Sequence, residues 1–286
     1  TMIEWSQEII EFIKGYHEKN RNLMDTFATF PSGHLGMVDD LGNMELYHGK
    51  LRAIDSEGKI TLPDVSTNEY QKYFLEGVER WSYMKFPYLK EVGREKGWNR
   101  VGPLARINIC NAIPTPLAEN ERQAFIAFTG KKVNNSTLYS HWARLIEILH
   151  CAEMMRDLLH DDEIMSSDLV REGKPRLEGI GIIEAPRGTL THHYQVDEKG
   201  MITRCNLIVS TTHNNEAMNQ AVRWVANNVI SQKGTITDGM LNQVEVAIRA
   251  YDPCLSCATQ ALGQMPLRVE LINHKGELID ERIKNG

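Results

Sequence analysis

The amino-acid sequence predicts a helix-rich α+β fold. Long stretches with apolar residues at helical spacing are interrupted by short β-prone runs, which are separated by glycine-bearing turns. The regular strand–helix–strand alternation of a doubly wound parallel sheet is absent from the pattern. The chain has 286 residues, and its 42% hydrophobic and 24% charged contents are typical of a globular protein with a sizeable core.

The first half of the chain begins with an amphipathic helix, predicted over residues 1–27, and no cap is predicted at position 1. Residues 34–63 predict a small antiparallel β meander, because short β-prone runs alternate there with Gly-bearing turns. Further helices are predicted over 67–80 and 117–130, and the longest is a core helix at 137–160. One apolar face of that core helix is expected to comprise Leu138, Trp142, Leu145, Leu149, Ala152 and Leu159.

The second half begins with a polar loop at 161–178, a strand at 179–186 and a hairpin at 191–210 that turns at 197–200. Two helices are predicted at 214–232 and 238–251, the second ended by Pro253. A final hairpin is predicted to turn at 273–276.

Charge and patterning exclude several classes of function. The formal net charge of −6 argues against nucleic acid or an anionic membrane as the main partner. No apolar run reaches the ~18–20 residues that a membrane span needs, and the first residues lack the pattern of a secretory signal. We therefore expect a cytoplasmic protein with no membrane span and no nucleic-acid partner.

Five cysteines form an odd, sparse set that does not indicate a disulfide framework. Cys151 and Cys205 are expected to be inert buried thiols. Cys254 and Cys257 form a C-x-x-C pair after an Asp-Pro at the end of a predicted helix. Thiolates in this spacing suit nickel, iron, zinc or an iron–sulfur cluster, but two ligands do not complete a four-coordinate site. A dithiol redox motif and two incidental buried thiols are the alternatives.

Two arginine-bearing stretches are further candidates. Arg187 follows a strand at a Pro-Arg-Gly turn, where it is either a functional cation or, more simply, a structural arginine. His192 and His193 would point to opposite faces of a strand, which makes them poor joint ligands. In the stretch 98–116, Arg100 and Arg106 could hold carboxylates or carbonyls across a rigid loop, although a structural crossover is the simpler interpretation.

Taken together, these stretches resemble the large subunit of a [NiFe] hydrogenase, most of all the cytoplasmic, bidirectional NAD-reducing type. The motifs that carry the resemblance occur in the order and spacing of the family over essentially the whole chain: RVGPLAR (100–106), YSHWARLIEILH (139–150), EAPRGTLTHHY (184–194), NLIVSTTHNNEAMN (206–219) and AIRAYDPCLSCAT (247–259). The resemblance implies the large-subunit fold, with the active-site part at 179–260.

The resemblance also implies roles for individual residues. Cys254 matches the terminal nickel ligand, and Cys257 matches the ligand that bridges nickel and iron. Backbone groups of Pro186 and Arg187 and the hydroxyl of Thr211 would face the cyanides of an iron that also carries carbon monoxide. Asp252 would orient the Arg187 side chain.

The implied chemistry is heterolytic cleavage of dihydrogen, in which a thiolate or the Arg187 guanidinium takes the proton. Electrons would leave through a small iron–sulfur subunit, and in the NAD-reducing type they would pass to flavin-bearing diaphorase subunits. A maturation endopeptidase and a chaperone are further implied partners.

Three departures from the family pattern qualify this interpretation. The family's N-terminal cysteine pair and proton-relaying glutamate are missing, so we expect residues 1–286 to form a C-terminal part that is inactive alone. Gln260 stands where the family has a histidine that binds magnesium or iron and ends the mature chain. Residues 261–286 correspond to the extension that maturation removes. An unprocessed or truncated non-catalytic form, binding chaperones or serving a structural role, is therefore the alternative; a cofactor-free relative of the complex I type is disfavoured because the C-x-x-C pair is kept.

Overall fold

The computed structural model describes residues 1–170, 172–231, 235–255 and 267–284. Helices alternate with short strands along the chain. The helices are α1 (Met2–Lys19), α2 (Arg21–Thr26), α3 (Tyr70–Tyr73), α4 (Pro103–Ile109), α5 (Pro116–Thr129), α6 (Ser140–Leu159), α7 (Ser210–His213), α8 (Asn215–Val225) and α9 (Asp238–Arg249). The strands are β1 (Gly33–Val38), β2 (Lys50–Ile54), β3 (Ile60–Val65), β4 (Phe74–Glu79), β5 (Ser82–Leu89), β6 (Asn99–Arg100), β7 (Glu178–Ala185), β8 (Gly188–Val196), β9 (Ile202–Ile208), β10 (Leu267–Ile272) and β11 (Leu278–Lys284).

The strands form small sheets, mostly antiparallel. Strands β3-β2-β1 form a meander in the region predicted for one, and β6 adds to β1 in parallel. A second sheet has the order β7-β8-β9, and β4-β5 and β10-β11 are two-stranded hairpins. In the described residues no helix is long and apolar enough to cross a membrane. Helices combined with small antiparallel sheets are the α+β architecture that the sequence predicts.

Helix α6 lies in the main core. Trp142, Ile146 and Leu149 are buried, and the rings of Phe125 and Tyr139 lie beside them. The predicted apolar face is wrong at its C-terminal end, because Leu159 is 68% exposed. Periodicity identified the stripe but could not tell where the neighbouring helices stop covering it.

The helix predicted over 67–80 is wrong in its second half. After one helical turn at α3, the chain extends into β4, which pairs antiparallel with β5 from Phe74 opposite Leu89 to Val78 opposite Lys85. The paired strand β5 lies outside the predicted helical window of residues 67–80. Pairing with this strand overrides the local helical propensity. The first helix is also capped, contrary to expectation: the Thr1 hydroxyl accepts a hydrogen bond from the Glu4 backbone N–H at 3.3 Å, in a capping box.

The expectation of buried thiols is wrong for two cysteines. Cys151 on α6 and Cys205 on β9 are exposed, and Cys205 lies in a part of β9, residues 202–205, that is exposed throughout. Cys110 is buried instead, and burial raises the pKa of its thiol to about 12. His192 and His193 do lie on opposite faces of β8, as the strand period predicts: His192 is exposed and His193 is buried.

Candidate functional site

The tip of the β7–β8 hairpin is the centre of the site. Ala185 pairs with Gly188, so Pro186 and Arg187 form a two-residue turn. Gly188 has a φ of 131°, and a Cβ there would lie 2.3 Å from Val101 Cγ2. Only glycine allows the turn and the loop of the RVGPLAR motif to approach so closely.

The motif NLIVSTTHNNEAMN (206–219) forms hydrogen bonds with this turn and with the loop beside it. The Ser210 hydroxyl donates to the Gly188 carbonyl at 2.6 Å. The Asn214 side chain accepts from the Val101 backbone N–H at 3.0 Å. Both Ser210 and Asn214 are buried, so these bonds are shielded from water. Three motifs far apart in sequence therefore meet at one point.

Helix α9 brings the cysteine segment to the same point. The Thr211 hydroxyl oxygen accepts a hydrogen bond from the Cys254 backbone N–H at 3.1 Å. Thr211 is almost completely buried at the start of α7, whereas Cys254 is partly exposed. The hydroxyl that the resemblance assigns to the site thus lies within hydrogen-bond distance of the cysteine segment.

Arg187 and Asp252 lie together at the rim. The Arg187 Nε–H donates to the Asp252 carbonyl oxygen at 2.8 Å and lies 3.5 Å from its Oδ2. The two side chains are 42% and 43% exposed, so their ion pair adds little stability and its main effect is on orientation. Asp252 has a φ of 49°, in the left-handed region that only a few non-glycine residues adopt. Backbone strain of this kind is concentrated at functional sites.

Arg144 on α6 is a site residue that the sequence reasoning missed. Its guanidinium donates to the Ala250 carbonyl at 3.2 Å, directly before the site segment, and its buried Nε has no hydrogen-bond partner among the residues that the structure describes. Burial lowers the pKa of this guanidinium, and the nearby carboxylate of Asp252 opposes that shift. The motif YSHWARLIEILH contained Arg144, but nothing in helical periodicity distinguishes an inward-pointing arginine from a surface one.

A buried network of ion pairs contacts the β7–β8 hairpin next to its turn. Arg106 contacts Glu147 through Nε at 2.5 Å and through Nη2 at 2.6 Å. Its Nη1 contacts Glu184 at 2.5 Å and the Ala185 carbonyl at 3.1 Å. The Thr189 hydroxyl donates to Glu184 at 2.6 Å. Arg106 therefore holds carboxylates and a carbonyl, as the sequence suggested, and it links α4, α6 and β7.

Burial shifts the pKa values of the acidic and the basic groups of this network in opposite directions. It raises the pKa of the Glu184 carboxyl, since the charged form loses its hydration, and Arg106 offsets part of that rise. Burial also disfavours the charged Arg106, but the carboxylates of Glu147 and Glu184 outweigh it and raise the pKa of the guanidinium. One cation thus keeps two buried carboxylates in place, that of Glu147 on α6 and that of Glu184, which precedes Pro186 by two residues.

The sequence-predicted site residues are brought together as far as the structure describes them. Pro186, Arg187, Thr211, Asp252 and Cys254 converge at one site. Cys257 and Gln260 lie outside the described residues. Arg100 is also buried: its Nη2 donates to the Phe30 carbonyl at 3.4 Å, and its guanidinium lies over the Phe30 ring, 4.3 Å from the centroid.

The side chains described at this site include only part of the ligands that a soft metal ion needs. In the described ranges, the cysteine at the site is Cys254, beside a cationic rim and a hydroxyl, and thiolate sulfur is a ligand type that soft metals prefer. Those same ranges contain no group of three or more His, Cys, Asp and Glu side chains that could hold a metal ion. Any metal centre here therefore needs ligands from beyond the described residues.

Comparison with known proteins extends these observations. A sequence model described as nickel-dependent hydrogenase matches residues 43–260. The NAD-reducing hydrogenase HoxS subunit beta of Cupriavidus necator is 49% identical over 286 residues, covering 99% of this chain and 58% of that protein. A vhc subunit of the F420-non-reducing hydrogenase of Methanococcus voltae is 42% identical over 252 residues, covering 87% of this chain and 52% of that protein.

Solved structures agree. A crystal structure of an NAD⁺-reducing [NiFe]-hydrogenase in the H₂-reduced state superposes with a TM-score of 0.86 at 44% identity, over 90% of this chain and 57% of that one. The Ni-Fe-Se hydrogenase of D. vulgaris Hildenborough shares the fold, with a TM-score of 0.60 at 20% identity over 90% of this chain and 58% of that one. The chain thus spans somewhat more than half the length of these relatives. It belongs to the nickel-dependent hydrogenase family, and its fold is that of the large subunit.

Proposed function

We propose that this chain forms the C-terminal part of a [NiFe] hydrogenase catalytic subunit that cleaves dihydrogen reversibly and heterolytically. The observation that carries the proposal is the convergence of the Pro186-Arg187 turn, the Thr211 hydroxyl and the Asp252–Cys254 segment at one site. Its 49% identity to an NAD-reducing hydrogenase subunit supports NAD as the final electron acceptor. A small iron–sulfur subunit, diaphorase subunits and a cytoplasmic location are parts of the same proposal.

Cys254 and Cys257 would hold the nickel–iron group, with Pro186, Arg187 and Thr211 facing carbon monoxide and cyanide on the iron. Gln260 would reach a magnesium ion through its amide oxygen. The group supplies Lewis acidity and redox chemistry when it is bound. The remaining ligands would come from the part of the relatives that this chain does not match.

Residues of this chain would accept the proton that is released from dihydrogen. The Arg187 guanidinium is held at Nε by the Asp252 carbonyl, which leaves the other end of its planar fork directed away from that bond. A guanidinium stays protonated in proteins, so a thiolate at Cys254 would be the better proton acceptor of the two, and the positive charge of Arg187 would favour that thiolate. Arg144, which is half-buried and donates to the Ala250 carbonyl, adds positive charge to the same segment.

The ligand assignment is tested on this chain co-expressed with the remaining part of the subunit. Cys254→Ser and Cys257→Ser are expected to abolish nickel retention, measured by metal analysis together with infrared bands in the carbonyl and cyanide region. Cys205→Ser is the matched control, because Cys205 is an exposed thiol on β9. Normal nickel content in either site variant would remove that cysteine from the ligand set.

The role of Arg187 is tested separately. Arg187→Lys is expected to keep nickel and lower turnover by about 10²-fold or more, because a lysine point charge does not reproduce a planar guanidinium. Arg94→Lys, at an exposed ion pair with Glu79, is the control and should leave turnover unchanged. Wild-type turnover in Arg187→Lys would exclude this residue from the chemistry.

An unprocessed, non-catalytic form is the second candidate, and the packing of the C-terminal hairpin favours it. Leu267, Val269 and Leu271 pack against the main core. Lys284 contacts Glu245 on α9 at 3.0 Å. A tail anchored on α9 would hold the segment that follows this helix in an open position for metal loading. Mass spectrometry of native protein that shows an intact tail together with full nickel occupancy and activity would contradict this role.

A further inference from the structure

Charged side chains of alternating sign follow one another from the buried network of ion pairs to the rim of the site. The order is Glu184, Arg106, Glu147, Arg144, Asp252 and Arg187. The two ends of this series are ion pairs, with nitrogen–oxygen distances of 2.5 Å in the network and 3.5 Å at the rim. Arg144 is a middle member, so its contacts decide whether the network acts on the rim.

Arg144 connects α6 with the end of α9. It lies three residues before Glu147, which places both side chains on the same face of α6. Its Nη2 donates to the Ala250 carbonyl at 3.2 Å, and Ala250 immediately follows the last residue of α9. Carbonyls at a helix C-terminus lack helical partners, and a cation there interacts favourably with the helix dipole. The Arg144 guanidinium therefore stabilises the end of α9 at the point where the Asp252–Cys254 segment begins.

Two carboxylates act on this guanidinium. Burial lowers the pKa of Arg144, the carboxylates of Asp252 and Glu147 oppose that shift, and the cations Arg106 and Arg187 add to it. The Asp252 carboxylate is thus attracted by two arginines, Arg187 at the rim and Arg144 on α6. Each of the two cations restricts where this carboxylate can lie.

The backbone of Asp252 depends on contacts of this kind. Its φ of 49° lies in the left-handed region, which is unfavourable for a non-glycine residue and persists where the surrounding contacts impose it. In this conformation its carbonyl accepts a hydrogen bond from Arg187 Nε at 2.8 Å. The Oδ2 atom of Asp252 lies 3.5 Å from the same nitrogen, beyond the usual length of a hydrogen bond. The orientation of Arg187 therefore depends on the backbone of Asp252 more than on its carboxylate.

We propose that Arg144 is a positioning residue for Arg187. By binding the Ala250 carbonyl and attracting the Asp252 carboxylate, Arg144 holds the Asp252 backbone in the conformation whose carbonyl binds Arg187. The buried network in turn fixes Glu147 beside Arg144. Arg144 acts through Arg187 and does not itself take part in the chemistry. This role rests on the proposed function, because it is there that Arg187 is assigned to the reaction.

Hydrogen–deuterium exchange followed by mass spectrometry tests the positioning without a measurement of activity. The protein is this chain co-expressed with the remaining part of the subunit, and Arg144→Met removes the charge and the donor but keeps the aliphatic stem. We expect the amides of residues 250–254, including the Cys254 amide that is bonded to Thr211, to exchange about tenfold faster or more. The amides of α6 should exchange as in the wild type, and Arg144→Lys, which keeps a charge and a donor, should retain most of the protection at 250–254.

Arg156→Met is the matched control. Arg156 lies on the same helix in a half-exposed ion pair with Asp157, and its side chain makes no contact with the site in the described residues. Exchange at residues 250–254 and along α6 should therefore match the wild type in this variant.

Turnover per bound nickel tests whether the effect passes through Arg187. Arg144→Met is expected to lower kcat about tenfold and to leave the KM for dihydrogen within about twofold. In the double variant Arg144→Met/Arg187→Lys, kcat should equal that of Arg187→Lys alone, because a residue that acts through Arg187 then has nothing left to position.

Three results would each overturn the proposal. They are wild-type exchange at residues 250–254 in Arg144→Met, an equal acceleration along α6, which indicates a merely structural arginine, and losses of kcat that multiply in the double variant. Failure of the proposed function is a separate result. If Arg187→Lys kept wild-type turnover, Arg187 would have no part in the chemistry, whereas the exchange measurement would still decide whether Arg144 holds the Asp252 segment.

Discussion

Arg106 provides the sharpest test of the support beneath the hairpin tip. Arg106→Met keeps the aliphatic stem but leaves two buried carboxylates, those of Glu147 and Glu184, without their cation. Breaking a buried ion pair from one side costs about 3–5 kcal/mol, since an uncompensated charge remains. We therefore expect the free energy of unfolding to fall by about that amount in urea titrations followed by circular dichroism.

The predicted loss of stability also depends on pH, and the pKa of Glu184 determines the direction of this dependence. A carboxyl whose pKa is higher in the folded state binds its proton more tightly there, so its stabilising effect is present at low pH and is lost as pH rises. Burial already raises the pKa of Glu184, and removing Arg106 raises it further. The deficit of Arg106→Met should therefore shrink as pH is lowered.

Two controls complete the design. Arg94→Met removes a half-exposed ion pair with Glu79 and should cost about 0–1 kcal/mol. Adding Glu184→Gln to Arg106→Met should restore part of the loss, because one buried charge disappears. A deficit below about 1 kcal/mol for Arg106→Met, or one that does not depend on pH, would refute the reasoning.

Three further predictions concern a glycine in the hairpin turn, a buried histidine and two cysteines. Gly188→Ala should destabilise the chain by about 2 kcal/mol or more, because its φ is 131° and the added Cβ clashes, whereas Gly179→Ala, with open space around it, should change stability by about 0.5 kcal/mol at most. His213 is buried with its pKa lowered from 6.5 to about 4, so up to about 3 kcal/mol of stability is lost as pH falls between these two values, and His213→Gln should flatten this part of the pH–stability curve. Iodoacetamide should modify the exposed Cys205 in the native protein and Cys110 only after denaturation, as mass spectrometry can show.

The sequence was informative wherever neighbouring residues decide the structure. Pro253 lies four residues after Arg249, the last residue of α9, and Gly130 ends α5 in the left-handed conformation. The hairpin of β10 and β11 turns where Asn273 and Gly276 predict it. In each of these cases the stabilising contacts are within a few residues of one another, so a short window contains the physical cause.

The candidate site was predicted as a list of residues and not as an arrangement. Arg187, Thr211, Asp252 and Cys254 came from a resemblance between motifs, and no local pattern states that Thr211 meets the Cys254 backbone. Arg144 was missed because a buried arginine and a surface arginine look alike in a helical sequence. Its importance depends on the Ala250 carbonyl, which lies 106 residues further along the chain.

The α+β class, the helices and hairpins with local signals, and the family can all be inferred from the amino-acid sequence. Packing between elements determines instead that residues 74–79 form a strand, that Leu159 and Cys151 are exposed, and that Arg106 bridges α6 and β7. The difference follows from separation along the chain. Periodicity, caps and turns depend on neighbours in sequence, whereas burial and ion pairing depend on which distant elements pack together: the Arg106 contacts span 41 and 78 residues.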